Sequence, residues 1–163
     1  MKIYVQGMLE DAVIESVADG EGVRLVLFLN GCAHQCEGCH NSATWSRKNG
    51  VPFEVEEVVE YVMERFLKHP YDGITISGGD PLMQWESTLC LTQELKRQGC
   101  HNIWVYTGYE WTSFSSEQKA RLSASIDTLV DGKFEKDKRY PICPFRGSWN
   151  QQIIHLKEEM QDD

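Results

Sequence analysis

Residues 31–41 read GCAHQCEGCHN and carry Cys32, Cys36 and Cys39 in a C-x3-C-x2-C run. Thiolates so closely spaced are metal ligands or redox groups, and four sites can be written into the stretch. Cys36 to His40 is literally C-x-x-C-H, the pattern of covalent haem attachment. The three cysteines with His34 or His40 would compose a tetrahedral Cys3His zinc site. Cys36 and Cys39 alone make a C-x-x-C dithiol. All three together supply three of the thiolates that a [4Fe–4S] cube takes.

Spacing and context weigh these readings. Haem attachment needs an exported or organellar chain, and the N-terminus MKIYVQGMLEDAV has no apolar h-region; it would also leave Cys32 without a purpose. Structural zinc sites usually draw ligand pairs from two knuckles, and no second C-x-x-C answers this one. The dithiol does not open an obvious helix. The iron–sulfur reading uses all three thiols and leaves one iron without a protein ligand, open to a small molecule. Cys90 falls inside an expected helix, Cys100 just past it and Cys143 in a PICPF turn. They are expected to be small buried or incidental thiols rather than a fourth ligand.

A second stretch, Gly78-Gly79-Asp80-Pro81, follows a run of β-formers. Glycines let a backbone approach a ligand closely, and carbonyls with the Asp80 carboxylate can accept hydrogen bonds from an ammonium. The plainer alternative is a strand-to-helix turn with Asp80 as its cap.

The elements that must position these groups alternate in type. KIYV reads as a short first strand and VRLVLFLNG as a buried one, so the cysteine run sits on the loop at its carboxyl end. Val55, Val58, Val59, Val62, Met63, Phe66 and Leu67 keep helical spacing, with Pro70 just beyond. Gly73–Ser77 is a strand running into GGDPL, and a helix is expected from about Trp85 to Gln98 with Gly99 as its stop. Strand NIWVYT, a short helix opened by Ser115 and Gln118 as a capping box, strand DTLVD, the segment RGSWN and strand QQIIHL complete the chain before an acidic tail. This order predicts an α/β fold with a mainly parallel sheet of βα units, in one domain over 1–163. Ligands collect at the carboxyl ends of such strands. The cysteine loop, GGDPL, YTGY and DGKF all follow strands, so one composite site is expected.

Composition limits the setting. The 163 residues are 41% apolar and 25% charged, as in an ordinary globular chain, and 16 Lys and Arg against 25 Asp and Glu give a net charge of −9. That balance argues against nucleic acid or an anionic membrane as a partner. No apolar run is long enough to span a bilayer. The expected location is therefore the cytoplasm, where the six cysteines would be thiols or metal ligands.

C-x3-C-x2-C after the first core strand and GGDP after the second resembles the radical S-adenosylmethionine superfamily. VADGEGVRLVLFLNGC and CHNSATW are similar to the activating enzymes of glycyl-radical enzymes. The short length, YTGY, LVDGKF and RGSWNQ resemble the activases of anaerobic (class III) ribonucleotide reductase, over roughly residues 15–155. A parallel sheet this small is expected to close only part of a (β/α) barrel, partial and open, with a wide mouth suited to a protein loop. The resemblance implies that Cys32, Cys36 and Cys39 ligate a [4Fe–4S] cluster whose open iron chelates the amino and carboxylate groups of S-adenosylmethionine. One electron, from a flavodoxin or ferredoxin, would cleave the sulfonium bond to methionine and a 5′-deoxyadenosyl radical. That radical would take hydrogen from a glycine Cα of the reductase.

By the same resemblance Gly78, Gly79, Asp80 and Pro81 would bind S-adenosylmethionine. The superfamily often places an aromatic residue before the third cysteine; here it is Gly38, so the adenine contact becomes a backbone matter, with His40 beside it. Asp131 could meet the ribose, the methionine end or a cation, and Arg146 a substrate carboxylate or the partner; for both the alternative is a turn held by side-chain hydrogen bonds. Tyr106, Tyr109 and Trp111 are core or partner surface. Other readings remain: activation of a different glycyl-radical enzyme, a small-molecule substrate such as a deazaguanine precursor, or a zinc or electron-transfer module.

Overall fold

The structure, a computed structural model, describes residues 1–31, 50–139 and 143–157. Its frame is an eight-stranded mixed sheet that remains open. Strands β3 (Arg24–Leu29), β5 (Gly73–Gly78), β6 (Ile103–Tyr106) and β7 (Thr128–Asp131) run parallel side by side. β5 and β6 are rich in β-branched and aromatic residues and β3 in leucine, which suits strands flanked on both sides.

The flanks are antiparallel, so the expected mainly parallel sheet holds for the centre and not for the edges. β8 (Gln152–His155) pairs antiparallel with β7. On the other side, β1 (Lys2–Val5) meets the end of β3 and also pairs with β4 (Val51–Glu54), while β2 (Val13–Ser16) covers the earlier part of β3. β2 and β4 were not expected; each is only four residues long, the first without alternation (VIES) and the second interrupted by Pro52. β4 ends the strand order, where a residue without an N–H does least harm.

Helices α2 (Val55–Phe66), α3 (Trp85–Arg97) and α4 (Ser116–Ser125) connect β4 to β5, β5 to β6 and β6 to β7; α1 (Leu9–Ala12) is a single turn. α2 packs on α3 and α3 on α4. Their ends follow local chemistry. Ser115 and Gln118 form the expected capping box, and Gly99, at φ +109°, follows α3 in the left-handed conformation that only glycine adopts at no cost.

One face of the sheet presents Leu25, Leu27, Leu29, Ile74, Ile76, Ile103, Val105 and Leu129 to a core shared with Val58, Val62, Leu89, Leu95 and Leu122 of the helices. Each such side chain contributes about 1.5–3 kcal/mol on burial. The opposite face differs in kind. Arg24, Thr75 and Trp104 lie on it, fully buried, with Phe145 and His155 edge-on to the Trp104 ring. The apolar face holds the helices; the polar face is left for something else.

Candidate cofactor site at the carboxyl ends of the parallel strands

β3 and β5 run in register, with Leu29 opposite Gly78. Beyond that pair the chains stay in contact: the Gly79 N–H donates to the Leu29 carbonyl and the Asp80 N–H to the Gly31 carbonyl, both at 2.9 Å. The approach leaves no room for side chains. A Cβ on Gly78 would stand 2.2 Å from the Leu29 oxygen, and one on Gly79 2.6 Å from the Gly31 oxygen. Gly31 is the last described residue before the cysteine run. The root of that run is therefore clamped, backbone on backbone, against the glycine turn.

The turn is fixed from three sides. Asp80, 1% exposed, accepts from the Leu82 N–H at 2.9 Å, the Gly108 N–H at 2.9 Å and the Thr107 hydroxyl at 2.9 Å. It thus caps the 3-10 turn Pro81–Gln84 and ties it to the loop after β6. Pro81 opens that turn, and its carbonyl accepts from the Thr88 hydroxyl at 2.7 Å. Gln84 reaches back across the sheet: its amide donates to the Tyr4 and Asn30 carbonyls at 3.0 Å and accepts from the Tyr4 N–H at 2.8 Å. It joins the turn to β1 and to the end of β3. Nothing in the local sequence marks Gln84 as more than a helix-entry residue.

The loops after β6 and β7 close the row. The Gly132 N–H donates to the Tyr109 carbonyl at 3.0 Å. Asp131, 5% exposed, accepts from the Trp111 N–H at 2.8 Å and the Gln152 N–H at 3.1 Å. Asp131 thus holds a loop and the start of β8, the turn-like geometry that was the alternative to ligand contact. A continuous hydrogen-bonded chain runs from Gly31 through Asp80, Thr107–Tyr109 and Asp131–Gly132 to residues 150–152. The expected gathering of the described loops at one end of the sheet is what the structure has. Tyr109 and Trp111 differ in place, the first partly exposed and the second buried in the core.

RGSWN forms a knot over β7. The Gln151 side chain accepts from the Gly147 N–H at 2.9 Å and the Ser148 N–H at 3.0 Å and donates to the Gly132 carbonyl at 2.9 Å. Phe145 enters the knot with φ +58° and its carbonyl accepts from the Tyr106 hydroxyl; burial pushes the Tyr106 phenol up from its usual range. Arg146 lies over the Trp149 ring at 4.7 Å.

At the opposite end of the parallel strands, Arg24 is a buried cation whose hydrogen-bond partners among the described residues are all neutral. It donates to the Thr75 hydroxyl at 2.8 Å, to the Glu21 and Ile74 carbonyls at 3.0 Å and to the Asn102 carbonyl, and it stacks on Trp104 at 5.3 Å. Burial lowers its pKa to about 10, against the opposing pull of nearby acidic groups. A charged residue inside an otherwise apolar strand was the available signal for this polar face.

Cys32, Cys36, Cys39, Gly38 and His40 lie outside the described residues. Among the described residues no three His, Cys, Asp or Glu side chains are grouped to hold a metal, and Cys90, Cys100 and Cys143 form no disulfide with one another. The residues present fit an iron–sulfur group. Gly31, after which the sequence runs directly into the three cysteines, lies against a side-chain-free backbone cradle at Gly78–Gly79 that a ligand can approach.

A sheet that presses the root of a three-thiol loop against a bare glycine turn is the frame of a cluster-binding domain. In agreement, the family described as 4Fe-4S single cluster domain matches residues 18–154. The chain is 40% identical over 146 residues to the anaerobic ribonucleoside-triphosphate reductase-activating protein of Haemophilus influenzae, covering 85% of this chain and 91% of that one. The protein of the same name from Escherichia coli K12 is 36% identical over 148 residues, covering 86% and 94%. That of enterobacteria phage T4 is 36% identical over 138 residues, covering 83% and 85%. The chain belongs to this family of reductase-activating proteins. Among solved structures, QueE from Escherichia coli superposes with a TM-score of 0.54 at 15% identity, over 66% of this chain and 53% of that one, a likeness of fold. Among the described residues no helix is long and apolar enough to cross a membrane.

Proposed function

We propose that the protein is a radical S-adenosylmethionine activase that generates a glycyl radical on anaerobic ribonucleotide reductase. The observation that carries this reading is the clamp of Gly31 on Gly79 and Asp80. It holds the residue that leads into the three cysteines against the glycine turn, which supports a reading in which one small molecule touches both. When bound, a [4Fe–4S] cluster with one open iron supplies one-electron cleavage of the S-adenosylmethionine sulfonium bond, and the adenosyl fragment removes hydrogen from a glycine Cα of the reductase.

The chain's own residues supply place and exclusion. Cys32, Cys36 and Cys39 are the ligands. The carbonyls of Gly78 and Gly79 accept from the ammonium of S-adenosylmethionine, and Pro81 fixes the direction in which that backbone leaves. Asp80 acts mainly by holding the turn, since the protein already gives its carboxylate three donors. Asp131 positions the loop that carries Trp111. Gly38 and His40 serve the adenine side. The four parallel strands act as the wall of a partial, open barrel, and a flavodoxin or ferredoxin delivers the electron.

The test is anaerobic. The protein is reconstituted with iron and sulfide, given dithionite and S-adenosylmethionine, and 5′-deoxyadenosine is measured with the reductase present and absent. Wild type is expected to make it and to leave a glycyl-radical signal on the reductase, while Cys36→Ala does neither. A fully loaded protein that makes none, even with the reductase, is an electron-transfer module instead.

A further inference from the structure

Among the described residues, two buried polar atoms in the RGSWN knot have no hydrogen-bond partner, Arg146 Nε and Asn150 Oδ1. Buried polar atoms are almost always paired, so each exception asks for an explanation. The Asn150 assignment is fixed by its surroundings: its amide nitrogen donates to the Lys133 carbonyl at 2.8 Å, which can only accept, so the oxygen is the atom left over. The knot is rigid, through the Gln151 bonds to Gly147, Ser148 and Gly132 and a buried Ser148 whose hydroxyl accepts from the Glu135 N–H at 3.1 Å. At its entry Phe145 sits at φ +58°, a conformation uncommon for a bulky side chain. Strain of this kind gathers where a ligand is clamped.

One unpaired donor and one unpaired acceptor on a short span have a natural complement. In an extended chain the N–H and the C=O of one residue point to the same side, which is how paired strands exchange two bonds between two residues. Both atoms are recessed, so the segment that reaches them has to bring its backbone close. Glycine permits that approach because it has no Cβ. The exposed Trp149 ring covers the Arg146 guanidinium and has to turn aside.

We propose that Arg146 Nε and Asn150 Oδ1 read the C=O and N–H of a glycine in an extended segment of the partner protein, and so seat that segment at the mouth of the site. This rests on the activase reading, which makes a glycine-bearing loop the substrate. Continuity supports it: the Asp80–Thr107–Tyr109–Gly132 chain joins the knot to the glycine turn. The knot sits beyond β7, two strands from β5, about 10 Å away at ordinary strand spacing.

The experiment measures the dissociation constant of the reconstituted protein for the full-length reductase, by anaerobic calorimetry, alongside 5′-deoxyadenosine formation by wild type. Arg146→Lys keeps the charge and removes the Nε donor. Asn150→Leu removes both the acceptor and the donor to Lys133, whereas Asn150→Asp keeps an acceptor and exchanges that donor for a carboxylate oxygen. Arg146→Lys and Asn150→Leu are each expected to weaken binding about tenfold, with Asn150→Asp binding close to wild type even though both Asn150 variants melt lower for want of the bond to Lys133. The proposal is overturned if Arg146→Lys binds normally, or if Asn150→Asp is as impaired as Asn150→Leu, which assigns the residue a structural role. It is also overturned if the half-saturating S-adenosylmethionine concentration moves instead, or if wild type does not bind the reductase. Wild type that binds but makes no 5′-deoxyadenosine refutes the activase reading and leaves the binding result standing.

Discussion

Replacing Asp80 with asparagine changes one atom and sets a donor where only acceptors fit. Oδ1 accepts from the Leu82 N–H and the Thr107 hydroxyl, and Oδ2 from the Gly108 N–H. An amide can present an oxygen to only one side. If its NH2 faces Gly108, a donor meets a buried donor; if it is reversed, the same conflict falls on Leu82. Each arrangement leaves a buried N–H unpaired, at about 1–3 kcal/mol. Asp80→Ala abandons all three donors and the cap, for about 3–4 kcal/mol once the terms are discounted for non-additivity. The assay is urea unfolding of the metal-free chain at neutral pH, with the slope checked against wild type. A loss of about 2 kcal/mol should lower the melting temperature of a chain this size by about 4–8 °C. Asp80→Asn within about 0.5 kcal/mol of wild type, the scatter of ordinary surface substitutions, would refute the claim that this carboxylate holds the turn.

Gly79→Ala drives a methyl to 2.6 Å from the Gly31 oxygen, so the turn and the root of the cysteine loop have to separate; we expect about 1–3 kcal/mol of destabilisation and less iron retained per chain after reconstitution, and full iron with wild-type melting would dismiss the clamp. Arg24→Met takes the guanidinium donors from the Thr75 hydroxyl and the Glu21 and Ile74 carbonyls, while the Asn102 carbonyl keeps the Ile74 N–H, a loss of about 3 kcal/mol measurable by the same unfolding, and an unchanged midpoint would mean the cation is dispensable. Burial raises Cys100 from 9.0 to about 12, so in the native chain iodoacetamide at pH 8.5 should label the partly buried Cys90 and spare Cys100, as read by peptide mass. The folded thiol stays protonated where the unfolded one ionises, so this group's contribution to stability is full below pH 9 and is lost as pH rises toward 12. Cys100→Ala should remove that part of the alkaline loss, and equal slopes in both chains would refute the assignment.

What the sequence disclosed depended on how local the cause was. β3, β5, β6 and β7 were readable because VRLVLFL, GITIS, NIWVYT and DTLVD bury both edges and need β-formers throughout. VIES and VPFE were not, since an edge strand is made by its neighbour rather than by its own residues. The Ser115–Gln118 box and the Gly99 stop lie within a turn of the helices they end, and both were visible. Asp80 and Asp131 could be picked out as residue types at strand ends, and Arg146 from its place in RGSWN. Their work could not, because the partners of Asp80 and Asp131 include Thr107, Gly108, Trp111 and Gln152, reached only through the sheet. Gln84 and Asn150 gave no signal, as amides do when their hydrogen bonds cross the fold.

β1 has a further consequence. Its Val5 pairs with Leu29 on one side and Val51 on the other, so both ends of the cysteine-bearing stretch are stapled to one short strand about 10 Å apart. Closing a free loop of roughly twenty residues costs about 3 kcal/mol of chain entropy. In a zinc finger the metal has to meet that cost, which is why such domains unfold without it. Here sheet formation has met it in advance. A cluster bound by this stretch would act between ends already in place, so its loss would not require the sheet to unfold.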